Sequence, residues 1–324
     1  MKKILLIIGV LAVFGVGWRV SKRLGEQAPK APAVYQAGEY HAGEYHETLG
    51  VGSRERSYLL YVPNGFKRRK PYPLLLGFHG GGGDGAKFAR QTGLSDYADR
   101  EGFIAVYPDG IEHNWNDGRD TTDAYKAGAD DVKFMRLLVE NLKKKLPIDG
   151  QRIYAAGVSN GGFFTQRLGC EAADVFAAVG TVSASMPTKL VEHCFPTAPI
   201  SVVVIQGTAD PVIPIGGGII TGFGDGGMVE SAENTLRLWA DKNECLAPRF
   251  RESLAPRVSD GTRVEKIEYA SCSGGVKVVY YIVSGMGHGW PPKKPQAPRL
   301  AGPTSNNIDA TEVIWGFFKT HPKQ

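Results

Sequence analysis

The sequence of 324 residues lacks the features that would place it in several special classes of protein. Its 42 glycines follow no Gly-X-Y period, which excludes collagen. With 42% hydrophobic and 22% charged residues, it has neither the charge excess of a disordered chain nor the apolar excess of a polytopic membrane protein. Its four cysteines include no C-x-x-C pair, so zinc and redox motifs with that spacing are absent. An ordinary globular protein with unusually many glycines remains.

A strong charge of one sign is also missing from the folded part of the sequence. The formal net charge is +5, but the first 45 residues hold six basic and three acidic residues, so the remainder carries only +2. The short basic run at residues 68–70 is interpreted as a solvated loop before a proline. Because no stripe of lysine and arginine and no recognisable binding motif is present, we expect no nucleic-acid partner.

The first residues predict export from the cytoplasm. A basic start is followed at residues 4–18 by an uncharged apolar run, which suits a secretory signal and is shorter than the ~20 residues of a membrane span. We predict that residues 1–18 form a signal peptide or, because the cleavage sites are poor, a membrane anchor. Residues 19–45 are interpreted as a linker and 46–324 as one folded domain. The protein is expected in the periplasm or outside the cell.

The four cysteines are expected to form two disulfides in an exported protein. Four cysteines allow three connectivities. We favour Cys170 with Cys194 and Cys245 with Cys272, since each pair closes a local loop of about 25 residues, a constraint on the unfolded chain of ~3 kcal/mol.

Short apolar runs alternate with amphipathic segments from residue 56 onward. The runs predict strands at residues 58–62, 74–78, 103–107, 152–156, 177–182, 201–205 and 276–283. The amphipathic segments predict helices at residues 86–100, 131–146, 161–171, 232–242 and 310–319. This alternation predicts an α/β fold with a mainly parallel central sheet and helices on both faces. Functional residues should then follow the carboxyl ends of strands.

One strand end carries the pattern G-x-S-x-G at residues 157–161. The pattern alone is weak in a glycine-rich chain, but here it follows a predicted strand and precedes a helix, as a nucleophile elbow requires. Ser159 is therefore the candidate nucleophile. A nucleophilic serine needs a base and an acid, which in this fold follow it in the order acid, then histidine.

Asp210 and His288 fit that order. Asp210 follows the strand predicted at 201–205, and His288 lies between glycines directly after the last strand. Asp225 is the rival acid in a glycine-rich loop, whereas Asp174 lies too near the nucleophile helix. His321, at the chain terminus, is the weaker choice of base.

An oxyanion needs two N–H donors. We expect one from the backbone of Asn160, at the start of the nucleophile helix, and the other from Gly81 in the sequence His-Gly-Gly-Gly-Gly at residues 79–83. The glycines at 80, 82 and 85 also fit a dinucleotide-binding fingerprint with Asp109 as the ribose partner. That alternative does not explain why Ser159, Asp210 and His288 follow three strands in the order that an α/β-hydrolase requires.

Two tryptophans lie near these motifs. Trp115 and Trp290 are candidates for lining an acyl pocket, although simple packing explains them nearly as well. Asp130 and Asp131 are interpreted as caps of the following helix. No metal ion and no organic cofactor is expected.

Together these motifs resemble the exported polyhydroxybutyrate depolymerase/feruloyl esterase family of α/β-hydrolases. The resemblance covers about residues 56–318 and rests on the glycine loop at His79, Tyr107-Pro-Asp-Gly110 with Trp115-Asn116, the serine motif extended to Gly162, Gly207-Thr-Ala-Asp210-Pro, and Gly287-His288 before Trp290-Pro291. It implies the α/β-hydrolase fold and an ester substrate, either a hydroxyalkanoate oligomer or a feruloyl or acetyl ester of a plant polysaccharide.

The sequence therefore predicts a serine carboxylic-ester hydrolase that works through an acyl-enzyme. An acyltransferase with the same three residues is the first alternative. A non-catalytic surface-binding protein is the second, and it differs from both enzymes in leaving Ser159 unreactive.

Overall fold

A computed structural model describes residues 40–221, 226–246, 249–293 and 298–323. All of them belong to one compact unit. The signal peptide or anchor predicted at residues 1–18, most of the predicted linker and the rival acid Asp225 lie outside the described residues. In the part of the chain that is described, no helix combines the length and the apolar character needed to cross a membrane.

A ten-stranded sheet forms the centre of the described unit. Its strands, in the order in which they lie side by side, are β1 (Gly43–Val51), β2 (Arg54–Val62), β4 (Ile104–Pro108), β3 (Tyr72–Phe78), β5 (Ile148–Val158), β6 (Ala178–Val182), β7 (Ser201–Gly207), β12 (Val278–Ser284), β11 (Arg263–Tyr269) and β10 (Phe250–Ser253). A separate hairpin pairs β8 (Gly218–Ile219) with β9 (Met228–Val229).

The six central strands, from β4 to β12, run parallel to one another. At each edge of the sheet, two further strands pair antiparallel with their neighbours: β2 and β1 on one side, and β11 and β10 on the other. The carboxyl ends of the central strands therefore meet at one edge of the sheet. This arrangement confirms the predicted mainly parallel sheet.

Helices cover both faces of the sheet. The first face packs against α4 (Asp131–Lys145), α5 (Asn160–Glu171) and α7 (Ala232–Lys242), and the second against α1 (Gly85–Thr92), α2 (Leu94–Glu101) and α9 (Ala310–Phe318). Three four-residue helices complete the set among the described residues: α3 (Asp123–Lys126), α6 (Thr188–Val191) and α8 (Pro298–Ala301).

The strand β3 shows why both faces must be covered. Leu74, Leu76 and Phe78 point into the core on one side, and Leu75 points into the core on the other, all without solvent exposure. Side chains of a strand alternate between faces, so an uninterrupted apolar run requires a hydrophobic layer on each side.

The helix predicted at residues 86–100 is two helices. Gly93 has φ 66°, a left-handed conformation that ends α1 and precedes α2, and its N–H donates to the carbonyl of Ala89. Glycine adopts this conformation without steric cost, so it separates the two helices where the apolar periodicity continues.

The predicted linker boundary at residue 45 is wrong. Strand β1 begins at Gly43 and includes the second copy of the repeated pentapeptide. Tyr45 is buried and contacts the ring of Tyr40 edge to face at 5.0 Å between centroids. The sequence here is polar and repetitive, so no apolar pattern indicated a strand. Within the second copy of the repeat, only Tyr45 is buried in the core.

The predicted disulfides are confirmed. Cys170 is bonded to Cys194, and Cys245 to Cys272, with separations of 24 and 27 residues. The first joins the end of the nucleophile helix α5 to the segment after α6, and the second joins the segment after α7 to the loop between β11 and β12.

Replacing Cys170 and Cys194 together by serine is expected to lower the free energy of unfolding by about 3 kcal/mol, because the unfolded chain regains the freedom of the closed loop. Urea unfolding under oxidising conditions measures this difference. As a control, the intact protein treated with a reductant should lose stability as well. A double variant as stable as the unreduced wild type would contradict the prediction.

Candidate active site

Ser159 lies at a sharp turn between β5 and α5. Its backbone has φ 55° and ψ −124°, a conformation that residues other than glycine rarely adopt. The turn is held on both sides, since the Ser159 N–H donates to the carbonyl of Val182 at 3.0 Å and its own carbonyl accepts from Phe163 at 2.9 Å. A strained, well-held serine at a strand-to-helix turn is the geometry of a nucleophile elbow.

The glycines of the serine motif allow backbone segments to approach closely. A Cβ at Gly161 would lie 2.3 Å from the carbonyl oxygen of Phe78 and 2.4 Å from that of His79. A Cβ at Gly157 would lie 2.3 Å from the carbonyl oxygen of Gly161. These neighbours are backbone atoms that cannot rotate away, so both positions exclude any side chain.

Asp210 and His288 are in contact. The Nδ1 atom of His288 lies 2.9 Å from Oδ2 of Asp210, whose side chain is fully buried, and the imidazole is 11% exposed. The other carboxylate oxygen, Oδ1, accepts from the N–H groups of Val212 and Ile213 at 2.8 and 2.9 Å. In the neutral tautomer that donates Nδ1–H to the carboxylate, Nε2 carries the acceptor lone pair.

The loops that carry these two residues are joined. Ala209 donates its N–H to the carbonyl of Met286, because their strands β7 and β12 are neighbours. A Cβ at Gly207 would lie 2.0 Å from that same carbonyl oxygen, so only glycine fits there.

The segment 301–307 supports the loop of His288 from the other side. Gly287 donates to the carbonyl of Pro303, and His288 donates to that of Ala301. Asp260 anchors this segment, since it accepts from the backbone N–H of Asn306 at 2.7 Å and from the side chain of Asn307 at 2.7 Å.

The glycine loop after β3 lies beside the serine. A Cβ at Gly80 would lie 3.4 Å from Cβ of Ser159, and one at Gly81 would lie 3.7 Å from Cβ of Asn160. Within the described ranges, no acceptor contacts the N–H of Gly81. Asn160 is the first residue of α5, and first-turn N–H groups have no acceptor inside the helix. The two predicted oxyanion donors are therefore neighbours beside Ser159.

His79 fixes the position of this loop. Its Nε2 accepts from the N–H of Gly110 at 3.0 Å, which leaves Nδ1 protonated to donate to the carbonyl of Gly80 at 2.8 Å. Burial lowers the pKa of His79, because the charged imidazolium would lose its hydration. A neutral ring thus acts as a structural bridge at this loop.

Both polar atoms of the Asn160 side chain form hydrogen bonds. Its Oδ1 accepts from the N–H of Trp115 at 2.8 Å, and its Nδ2 donates to the Trp115 carbonyl at 3.2 Å and to Oδ2 of Asp117 at 2.6 Å. Asp117 in turn pairs with Arg119, whose Nε and NH2 groups both lie 2.8 Å from the same oxygen. Burial raises the pKa of Asp117, and the Arg119 guanidinium opposes that shift.

A cavity of about 480 Å³ opens at this edge of the sheet. Ser159, Asn160, His288 and residues 79–83 of the glycine loop line it. One wall is apolar and consists of Phe163, Val212, Ile213 and Ile220, the last from the β8–β9 hairpin. A larger cavity of about 670 Å³ between α9 and β12 contains none of the predicted site residues.

The two predicted pocket tryptophans do not line this cavity, and that prediction is wrong. Trp115 and Trp290 have no solvent exposure. The indole N–H of Trp115 donates to the carbonyl of His79, and that of Trp290 donates to Oγ1 of Thr311. Both side chains belong to the hydrophobic core, where Trp115 stacks on Phe164 at 5.1 Å between ring centroids.

Two other aspartate assignments are resolved. Asp130 caps α4 as predicted, because it accepts from the N–H of Lys133, but Asp131 pairs with buried Arg56 at 2.8 Å. Asp109, the ribose partner in the dinucleotide alternative, accepts from the N–H of Gly85 at 2.8 Å and holds that loop.

Sequence reasoning missed Asp117 and Arg119. Both lie in the loop after β4, are at most 5% exposed and contact site residues. Charged residues two positions apart in a loop ordinarily face solvent, so only the tertiary contact with Asn160 distinguishes this pair.

Comparisons with known proteins identify the family of this chain. The family described as "Esterase PHB depolymerase" matches residues 56–218, about half of the chain. The protein NocK of Nocardia uniformis subsp. tsuyamanensis is 30% identical over 82% of this chain and 80% of its own length. Feruloyl esterase B of Piromyces equi is 30% identical over 72% of this chain, which spans 42% of that relative. The solved acetyl xylan esterase from Aspergillus awamori superposes with a TM-score of 0.55 over 76% of this chain and 94% of its own, at 14% identity.

The fold and site therefore define an α/β-hydrolase. The chain belongs to the polyhydroxybutyrate depolymerase family of esterases, and it is a carboxylic-ester hydrolase.

Gly161→Ala is expected to lower kcat/KM for p-nitrophenyl acetate by about 100-fold or more, because the added Cβ forces the elbow away from β3 and small displacements of reacting groups are costly. Steady-state kinetics measure the loss. Gly150→Ala, at a position with no atom within 4 Å of the added Cβ, should leave the rate unchanged. Wild-type kinetics in Gly161→Ala would contradict the close approach described above.

Asp260 is expected to make stability depend on acid pH. Hydrogen bonds from the Thr262 hydroxyl and the Asn306 N–H lower its pKa from 3.8 to about 2. Because the folded-state pKa is depressed, the stabilisation is complete above pH 3.8 and is lost as the pH falls toward 2. Asp260→Asn should therefore lower the Tm at pH 7, and the difference from wild type should narrow at pH 3. Asp241→Asn, at an exposed position on α7, is the control; a difference independent of pH would refute this role of Asp260.

Proposed function

We propose that Ser159, Asp210 and His288 form the catalytic triad of a serine esterase. The observation that carries the proposal is that residues following β5, β7 and β12 meet at one cavity, where Nδ1 of His288 lies 2.9 Å from buried Asp210. Three segments distant in sequence supply, in this order along the chain, a nucleophile, an acid and a base, which is the chain order of an α/β-hydrolase.

The reaction begins when Nε2 of His288 takes the hydroxyl proton of Ser159 and Oγ attacks the ester carbonyl. The oxyanion accepts hydrogen bonds from the N–H groups of Asn160 and Gly81. The C–O bond to the alcohol then breaks, and the alcohol leaves with the proton from His288. Water, deprotonated by the same histidine, attacks the acyl-enzyme and releases the acid, which restores the serine.

Asp210 supports both proton transfers through its contact with His288. Its carboxylate fixes the imidazole with Nδ1–H toward the acid and stabilises the imidazolium that forms in each step. The N–H donors of Val212 and Ile213 hold that carboxylate in place.

The cavity favours an uncharged ester. The lysine and arginine side chains at its wall have carboxylate partners, Lys87 with Asp84 and Arg119 with Asp117, and the imidazole of His288 contacts Asp210. The apolar wall at Phe163 and Ile220 suits an acyl group, while Gln91 and Lys87 offer polar contacts to an alcohol. We propose hydroxyalkanoate oligomers or feruloyl or acetyl esters of polysaccharides as substrates, in keeping with relatives named feruloyl esterase and acetylxylan esterase/xylanase.

We also propose that the enzyme acts outside the cytoplasm, in the periplasm or extracellular space. Its two disulfides support this location, since such bonds persist in oxidising compartments.

Ser159→Ala should reduce hydrolysis of p-nitrophenyl acetate on the order of a million-fold, to background, and should abolish labelling by a fluorophosphonate probe while thermal unfolding stays close to wild type. Ser253→Ala, an exposed serine on β10, is the control and should keep full activity. An active Ser159→Ala variant would refute the proposal. Wild-type protein that transfers the acyl group to added alcohol in preference to water would instead identify an acyltransferase.

A panel of hydroxybutyrate oligomers, methyl ferulate and acetylated xylan distinguishes the proposed substrates. The proposal of these classes fails if wild-type enzyme cleaves p-nitrophenyl acetate but none of the three.

A further inference from the structure

Arg119 contacts three parts of the site at once. Its Nε and NH2 groups bind Asp117, which holds the side chain of Asn160. Its guanidinium carbon lies 4.8 Å from the ring centroid of Phe163, on the nucleophile helix. Its NH1 group donates to the carbonyl of Gly226 at 2.8 Å, in the segment that leads into β9.

The aliphatic part of Arg119 also packs on the β8–β9 hairpin. A Cβ at Gly227 would lie 3.2 to 3.5 Å from three carbon atoms of the arginine stem, so the backbone of Gly227 rests against it. The carbonyl of Gly227 accepts from the N–H of Ile220, whose side chain lies in the apolar wall of the cavity. The position of that wall is thereby linked to the position of the arginine.

We propose that Arg119 is a positioning residue that sets the acyl selectivity of the site by fixing the β8–β9 hairpin against the turn that carries Asn160. The inference rests on the proposed function, in which the acyl group occupies the apolar wall. The guanidinium donates to Asp117 through Nε and NH2 and to Gly226 through NH1, whereas a lysine ammonium offers one nitrogen in place of these three.

An acyl chain that reaches Ile220 depends on the hairpin, and an acetyl group bound at Ser159 does not. Arg119→Lys should therefore lower the ratio of kcat/KM for p-nitrophenyl butyrate to kcat/KM for p-nitrophenyl acetate about tenfold. The two esters share one leaving group, so their ratio isolates the acyl side.

Arg56→Lys is the matched control for the loss of a buried arginine pair. Arg56 is 5% exposed and lies 2.8 Å from buried Asp131, as Arg119 does from Asp117, but it does not line the cavity. This variant should lose comparable stability and keep the wild-type ratio of the two esters.

Gly227→Ala tests the same contact while keeping the arginine pair intact. The added Cβ should displace the hairpin from the arginine stem and change the butyrate-to-acetate ratio in the same direction as Arg119→Lys. Gly218→Ala strains a glycine of the same hairpin, at φ 109°, with no atom within 4 Å of the new Cβ, and should leave the ratio unchanged.

This role of Arg119 would be overturned if the butyrate-to-acetate ratio in both Arg119→Lys and Gly227→Ala stayed at the wild-type value, whether because both esters changed equally or because neither changed. Failure of the proposed function gives a different result, since the wild-type protein would then cleave neither ester or Ser159→Ala would keep full activity.

Discussion

The site depends on how closely the end of β3 approaches the first turn of α5. The carbonyl groups of Phe78 and His79 lie against the α-carbon of Gly161, at a distance that no side chain permits. This approach places the glycine loop next to Ser159 and Asn160, so that the proposed nucleophile and the two proposed N–H donors share one small region. The proposed donors are backbone groups and need no side chains of their own.

The second half of the site is held by pairing between the neighbouring strands β7 and β12. Their parallel register delivers Asp210 and His288 to the same edge as Ser159, and the hydrogen bond from Ala209 to Met286 joins their loops. Backbone groups around these two residues are hydrogen-bonded. The carboxylate of Asp210 accepts from two backbone N–H groups, and the N–H groups of Gly287 and His288 donate to backbone carbonyls. The hydrogen bonds that hold Asp210 and His288 are therefore continuous with those of the sheet.

Ser159, Asp210 and His288 could be proposed from the sequence because each follows an apolar run, in the chain order of an α/β-hydrolase. The structure places Asp210 in contact with His288, and Ser159 and His288 line the same cavity. Sequence reasoning failed where a side chain's role depends on its tertiary partners. Trp115 and Trp290 are core residues because acceptors for their indole N–H groups lie inside the protein, which no local pattern shows. Strand β1 was not predicted because an edge strand needs few apolar residues. Asp117 and Arg119 were not predicted because two charged residues so close in a loop resemble a solvent-exposed segment.

The two disulfides do not overlap along the chain, since the loop from Cys170 to Cys194 closes before the one from Cys245 to Cys272 begins. Each cysteine finds its native partner among residues synthesised within the same short stretch. Either bridge can form without the other, and an incorrect pairing requires a sequence separation of at least 51 positions, the distance along the chain from Cys194 to Cys245. The two covalent links therefore stabilise separate segments of the chain, and each closes a short loop of its own.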